Sequence, residues 1–185
     1  MEKIVSQVKE HIDSLLGKGL VLVAIDGNCT AGKTTLAKSL SESYDCNVFH
    51  MDDFFLRPEQ RTLQRYAEVG GNVDYERFLQ EVLLPLKSGD EFSYRPFDCS
   101  TFALSEPVKV SPKKLNIIEG TYSQHPYFGD PYDLKIFLTV AQELQRERIM
   151  ERPEFLHQRF FEQWIPMEKQ YVDGFSIHEQ ADVIF

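Results

Sequence analysis

Gly27-Asn28-Cys29-Thr30-Ala31-Gly32-Lys33-Thr34 sets two glycines, a lysine and a hydroxyl at the spacing of a phosphate-cradling loop. Such a loop curls so that its backbone N–H groups point at phosphate oxygens, and a helix opening behind it adds the positive end of its dipole. Lys33 is expected to reach the β- and γ-phosphates, and Thr34 to offer a hydroxyl to Mg²⁺. The apolar run Leu20–Ile25 precedes the loop, and Thr35-Leu36-Ala37-Lys38-Ser39-Leu40 reads as the start of a helix. This is the strand–loop–helix setting the motif requires, so residues Gly27 to Thr35 are the expected nucleotide contact, with ATP and Mg²⁺ as cofactors.

Three carboxylates stand directly after other apolar stretches: Asp52 and Asp53 after Asn47–Met51, and Glu119 after Leu115–Ile118. In an open parallel sheet, ligands bind beyond the carboxyl ends of the strands, so these side chains are expected at the loop's own edge. There they can hold Mg²⁺, with Thr34, Asp52 and Glu119 as the metal-side set, or take a proton from an alcohol acceptor. Arg146, Arg148, Arg152 and Arg159 follow the next strand. Two readings stand side by side: a lid over the transferring phosphoryl, with Arg148 and Arg152 one helical turn apart, or a solvated face paired with Glu143, Glu147 and Glu151.

The elements that must position these groups alternate between strand and helix. Ile4, Val5, Val8, Ile12, Leu15 and Leu16 mark one face of a first helix. Leu56 to Val73 is polar and reads as a loop-rich excursion over the active edge, not core. Asp74 caps a helix carrying Phe78, Leu79, Val82, Leu83 and Leu86 inward. Tyr94–Val110 is extended and turn-rich, Leu134–Leu138 is a fourth strand, and Ala181–Phe185 a fifth. Helices are expected at Gln142–Arg152 and about 154–172, broken by Pro153, the second with Phe160, Trp164, Met167 and Tyr171 as a core stripe. The pattern implies an α/β fold with a mainly parallel sheet covered on both faces.

Bulk properties narrow the class. With 185 residues, 42% hydrophobic, one domain over 1–185 is the expectation. The formal charge of −9 argues against nucleic acid as a partner. Cys29, Cys46 and Cys99 are widely spaced and read as reduced thiols of a cytoplasmic protein. The first residues lack a signal peptide's apolar core, and no apolar run reaches bilayer length, so no membrane partner is expected. Monomer and homodimer both stay open.

The phosphate loop, Met51-Asp52-Asp53-Phe54-Phe55, Ile117-Ile118-Glu119-Gly120-Thr121-Tyr122 and Asp133–Leu138, taken together and in this order, resemble the uridine kinase/phosphoribulokinase family, which includes relatives of the nicotinamide riboside kinases. The resemblance implies a P-loop fold with a five-stranded parallel sheet in the order 2-3-1-4-5, a substrate-binding excursion over about 54–112 and a short lid over about 146–160. It implies an ATP-dependent transfer to a hydroxyl of a small molecule, with a nucleotide-binding regulatory module as the alternative. Asp52 matches the family's general base, Glu119 the acidic residue near Mg²⁺, and Asp74 an aspartate that holds ribose hydroxyls, while Arg148 and Arg152 fall in the lid. Asp53 stands where uridine kinases usually have serine. Phe97 and Phe102 replace a tyrosine and about the position of a base-reading histidine, which suggests an aromatic wall and an acceptor other than uridine; His125 is the other candidate to read the base. Family members usually continue past the last strand to hold the adenine, so here the base is expected to be held differently.

Overall fold

The computed structural model describes residues 1–185. Helix α1, Glu2–Leu15, leads into strand β1, Val21–Gly27, which is buried at every position. A strand can be apolar throughout only if both of its faces are covered, and that is the case here. Helix α2, Lys33–Ser41, follows the phosphate loop, and β2, Cys46–His50, comes next. A helical run over 75–88 (α3), β3 at Leu115–Glu119, β4 at Leu134–Leu138, α4 at Gln142–Met150, a run over 154–174 (α5) and β5 at Val183–Ile184 complete the frame.

The five strands form one parallel sheet in the order β2-β3-β1-β4-β5, the order that the family resemblance implied. The alternation of side chains divides the core in two. Val21, Val23, Ile25, Ile117 and Ile136 face Val8 and Ile12 of α1 and Leu36, Ala37 and Leu40 of α2. Leu22, Phe49, Ile118 and Phe137 face the other way, toward Phe54, Phe78, Tyr94 and Tyr171. The second face therefore carries α3 and α5.

Three segments differ from expectation in ways that matter for the site. Strand β2 ends at His50, and Met51–Phe54 is a 3-10 turn, so Asp52 and Asp53 sit on a turn and not on the strand. The excursion from Leu56 to Val73 is not wholly outside the core: Leu56 and Val73 are both buried, and Phe55 bridges to Val73. Its middle is organised by Arg65, which donates to the Gly71 and Val73 carbonyls and grips Glu76 with two contacts of 2.6 Å. Residues 92–110 form two small antiparallel pairs, Phe92–Tyr94 with Val108–Val110 and Phe97–Asp98 with Ala103–Leu104. Both α3 and α5 contain a π-helical turn, at Leu79–Leu83 and Phe160–Trp164.

His125, the other candidate to read a base, is packed among aromatic rings. It is buried, stacked on Tyr75 at 4.5 Å and facing Tyr171 at 6.1 Å, with its Nδ1 accepting the Tyr127 N–H. Burial lowers its pKa from 6.5 to about 4. Between these two values the unfolded chain binds a proton that the folded chain refuses, so the stability present above pH 6.5 falls as the pH drops toward 4. The loss approaches about 3 kcal/mol, and His125→Gln is expected to flatten that slope in urea denaturation measured across the range.

Candidate active site

The loop leaves β1 at a point only glycine can occupy. Gly27 has φ +137°, and a Cβ there would lie 2.2 Å from the Leu138 carbonyl oxygen. That close approach lets Asn28 N–H donate to Leu138 O at 3.0 Å, so β4 holds the loop's first turn. Thr30, at φ +62°, also takes a left-handed conformation that side chains seldom adopt. One distant helix, α4, fixes this stretch: Arg148 donates to Thr30 O at 2.6 Å and Gln145 to Cys29 O at 3.2 Å. Lys33 lies folded back across the loop, its Nζ donating to Gly27 O at 2.7 Å and Asn28 O at 2.8 Å. Its ammonium is thus held in place before any phosphate reaches it.

The ends of β2 and β3 converge beside the loop. Gly120, at φ +127°, follows Glu119, and a Cβ there would sit 2.9 Å from the Met51 side chain, so the glycine permits the two strand ends to close together. Thr34 Oγ1 is 3.1 and 3.3 Å from the two Glu119 carboxylate oxygens. A hydroxyl and a carboxylate at that separation are the oxygen donors a hard cation such as Mg²⁺ takes, alongside water and phosphate oxygens. The residues fit that ion. His50 Nδ1 is 2.5 Å from Glu119 Oε1, the oxygen nearer to Thr34, and this contact raises the His50 pKa.

Asp52 stands in this group, its own surface open to solvent while protein surrounds it. Burial, then the Glu119 charge, raise its pKa, with Lys33 and His50 opposing. A carboxylate shifted upward is a stronger proton acceptor. Asp53 faces elsewhere: its carboxylate accepts the Tyr94 hydroxyl at 3.2 Å and its carbonyl accepts from Arg77 at 2.8 Å. Asp74 is buried as the cap of α3, with Oδ1 accepting Arg77 N–H and Oδ2 lying 3.4 Å from the Arg77 guanidinium and 3.8 Å from that of Arg57. Phe97 is buried and Phe102 exposed, at φ +55°, and the Arg61 guanidinium lies over both rings at 5.6 and 5.2 Å.

The arginines of α4 and α5 do not form the ion-paired face that Glu143, Glu147 and Glu151 would make: none has a carboxylate within 4.0 Å. Arg148 is on the loop, and Arg152 lies close enough for Cys29 to feel its charge. Arg146 and Arg159 pack over Phe161 and Trp164. Cys29 itself is chemically quiet, because burial and the Glu168 charge push its thiol up to about 12.

Two buried acids escaped the sequence reading. Asp26 precedes the loop and accepts Gly27 N–H at 2.7 Å, Gln124 N–H at 3.1 Å and Tyr171 O–H at 2.8 Å, joining β1, the segment after β3 and α5. Glu168 on α5 accepts from Cys29. An acid inside a glycine-flanked strand end was a readable signal for Asp26; Glu168, among polar helix residues, offered none.

A five-stranded parallel sheet in this order, with a phosphate loop behind its first strand, is the fold of the P-loop kinases. The chain matches none of the known protein-family profiles. It is 24% identical over 134 residues to a phosphoribulokinase from Synechocystis, covering 68% of this chain and 40% of that protein. The chain thus spans about two-fifths of the length of the curated relative it matches. Among solved structures, a possible uridine kinase from Bacillus stearothermophilus is similar with TM-score 0.68 and 23% identity, over 97% of this chain and 99% of the other. A D-glycerate 3-kinase from Cryptococcus neoformans is similar with TM-score 0.72 and 15% identity, over 92% and 89% of the two chains.

Three substitutions test the geometry. If the loop holds the phosphates of ATP during transfer, Lys33→Ala is expected to lose about 2–4 kcal/mol in transition-state stabilisation, read from kcat/KM. Asp52→Asn is expected to keep ATP binding and lose about 10²–10⁴ in transfer rate, with Asp53→Asn milder; the reverse ranking in steady-state assays moves the base to Asp53.

Proposed function

We propose that this protein transfers the terminal phosphoryl group of ATP to a hydroxyl of a small molecule. The observation that carries the reading is the meeting of Lys33, Thr34, Asp52 and Glu119, from separate segments, at one sheet edge, with Thr34 and Glu119 3.1 Å apart. In this reading Lys33 exchanges the Gly27 and Asn28 carbonyls for phosphate oxygens. Asp52 takes the proton of the acceptor hydroxyl as its oxygen bonds to phosphorus and the bond to ADP breaks. Arg148, already at Thr30, and Arg152 neutralise charge over the loop. Bound Mg²⁺, on the side of Thr34 and Glu119, supplies shielding of phosphate charge. A regulatory module that only bound nucleotide would have no use for a proton acceptor beside the loop. No helix is long and apolar enough to cross a membrane, and we place the activity in the cytoplasm.

For the acceptor, an aromatic wall of Phe97 and Phe102 suits a ring-bearing alcohol such as a nucleoside, as the likeness to a possible uridine kinase suggests. Asp74 serves a diol in that reading only if its carboxylate leaves Arg77. A specific observation favours a second, acidic acceptor. Arg61 holds its Nε on Leu56 O, lies over both phenylalanines, and has no carboxylate within ion-pair distance, leaving its outer nitrogens free for an anion. The glycerate kinase and phosphoribulokinase likenesses are compatible with it.

Acceptor-dependent ADP release measured on uridine, cytidine, nicotinamide riboside, D-glycerate and ribulose 5-phosphate decides between them. We expect the carboxylate or phosphate compounds to lead, and Arg61→Gln to raise their KM about 10- to 100-fold, the effect of losing a charged hydrogen bond, with KM for ATP unchanged. A preference for the neutral nucleosides, untouched in that variant, returns the acceptor to the nucleoside class. No stimulation by any acceptor, with ATP still bound, favours the regulatory module.

A further inference from the structure

The last long helix reaches the nucleotide loop through one carboxylate. Glu168, on α5, is only 4% exposed. Its Oε2 accepts the Cys29 backbone N–H at 2.8 Å and the Thr121 hydroxyl at 3.3 Å, and its Oε1 accepts the Asn28 side-chain amide at 3.3 Å. Thr121 in turn lies 3.3 Å from Gly27 O and two positions after Glu119. One side chain therefore joins α5, the start of the loop and the segment behind β3.

The loop needs such a holder. Its second half is the first turn of α2 and is ordered by that helix, with Leu36 N–H returning to Gly32 O. Its first half has few bonds of its own. Asn28 N–H goes to β4 and Ala31 N–H to Asn28 O, while the Cys29 N–H finds no backbone acceptor. Thr30 carries a left-handed backbone that costs energy unless its surroundings hold it. Gln145 and Arg148 secure the carbonyl side of Cys29 and Thr30, and Glu168 is what secures the N–H side.

We propose that Glu168 is a positioning residue for nucleotide binding: its hydrogen bonds to Cys29, Asn28 and Thr121 preset the first half of the phosphate loop in the shape that receives the polyphosphate. This rests on the reading of Gly27–Thr34 as the nucleotide site. The role is geometric. A glutamine can keep every contact, with its oxygen accepting from Cys29 and Thr121 and its amide facing an Asn28 side chain turned over to present oxygen. An alanine loses all three and leaves the half-buried Cys29 N–H without its acceptor. An aspartate keeps the charge but falls a methylene short.

Titration calorimetry with ADP and with ATP on the parent, Glu168→Ala, Glu168→Gln and Glu168→Asp reads this directly, with thermal unfolding identifying any variant that does not fold. We expect Kd to rise about 10-fold or more for alanine and aspartate and to stay within about 3-fold for glutamine, the consequence of losing or keeping the bond to Cys29, with the acceptor KM unmoved in each. Glutamine rescue is the result that a general loosening of the helix does not produce. Alanine and aspartate variants that bind ADP as tightly as the parent overturn the proposal, and tighter binding makes Glu168 a competitor of phosphate instead. A glutamine variant as weak as alanine also overturns it, assigning the effect to charge. Should alanine fail to fold, the contrast of aspartate with glutamine separates the same outcomes. A parent that binds no nucleotide overturns the nucleotide reading itself; a parent that binds with the variants unaffected overturns this inference alone.

Discussion

Lys33 is the charge around which the active edge is assembled. Asp26, Asp52 and Glu168 each have a pKa raised first by burial, and Lys33 opposes the shift in all three. Acids crowded from three directions would repel one another and protonate; one ammonium among them lowers that cost for each. The lysine gains as well, since its Nζ is held by two loop carbonyls and stays nine-tenths buried. In the proposed reaction a polyphosphate would meet a cation already largely desolvated, which has only to exchange two carbonyls for phosphate oxygens.

That assembly depends on backbones approaching more closely than side chains normally allow. Gly27 lets β1 turn away against the Leu138 carbonyl, and Gly120 lets β3 end against Met51. The first brings the loop onto β4, and the second brings Glu119 beside the turn that carries Asp52. Parallel strands end together at one edge, so two glycines at two strand ends are enough to draw three segments into one site.

The remaining face is controlled by guanidinium groups used as brackets. Arg65 fastens the excursion to Glu76 and to its own returning backbone, and Arg77 spans Asp74, the Asp53 carbonyl and the Arg95 carbonyl. Arg77 is itself buried under the Phe54 ring, with its guanidinium 4.2 Å from the ring centre. The turn bearing Asp52 and Asp53 is therefore tied to the segment that leads into the hairpin bearing Phe97 and Phe102.

The amino-acid sequence by itself determined the loop and the edge at which the carboxylates meet. Both follow from short-range patterns: glycine spacing, apolar runs, and acids placed straight after them, as at Asp52 and Glu119; the strand order was implied only by the family resemblance. The paired roles of Asp74 and Arg77 were half visible, because a cap announces itself locally while its ion pair does not. Only the tertiary structure decided where side chains from distant helices point. It placed His125 in an aromatic stack, Arg148 on Thr30, Arg61 over the two phenylalanines, and Glu168 on Cys29. Glu168 lies 139 residues from the amide it holds. No local pattern encodes such a contact, because its energy exists only once the sheet has brought both ends to the same edge.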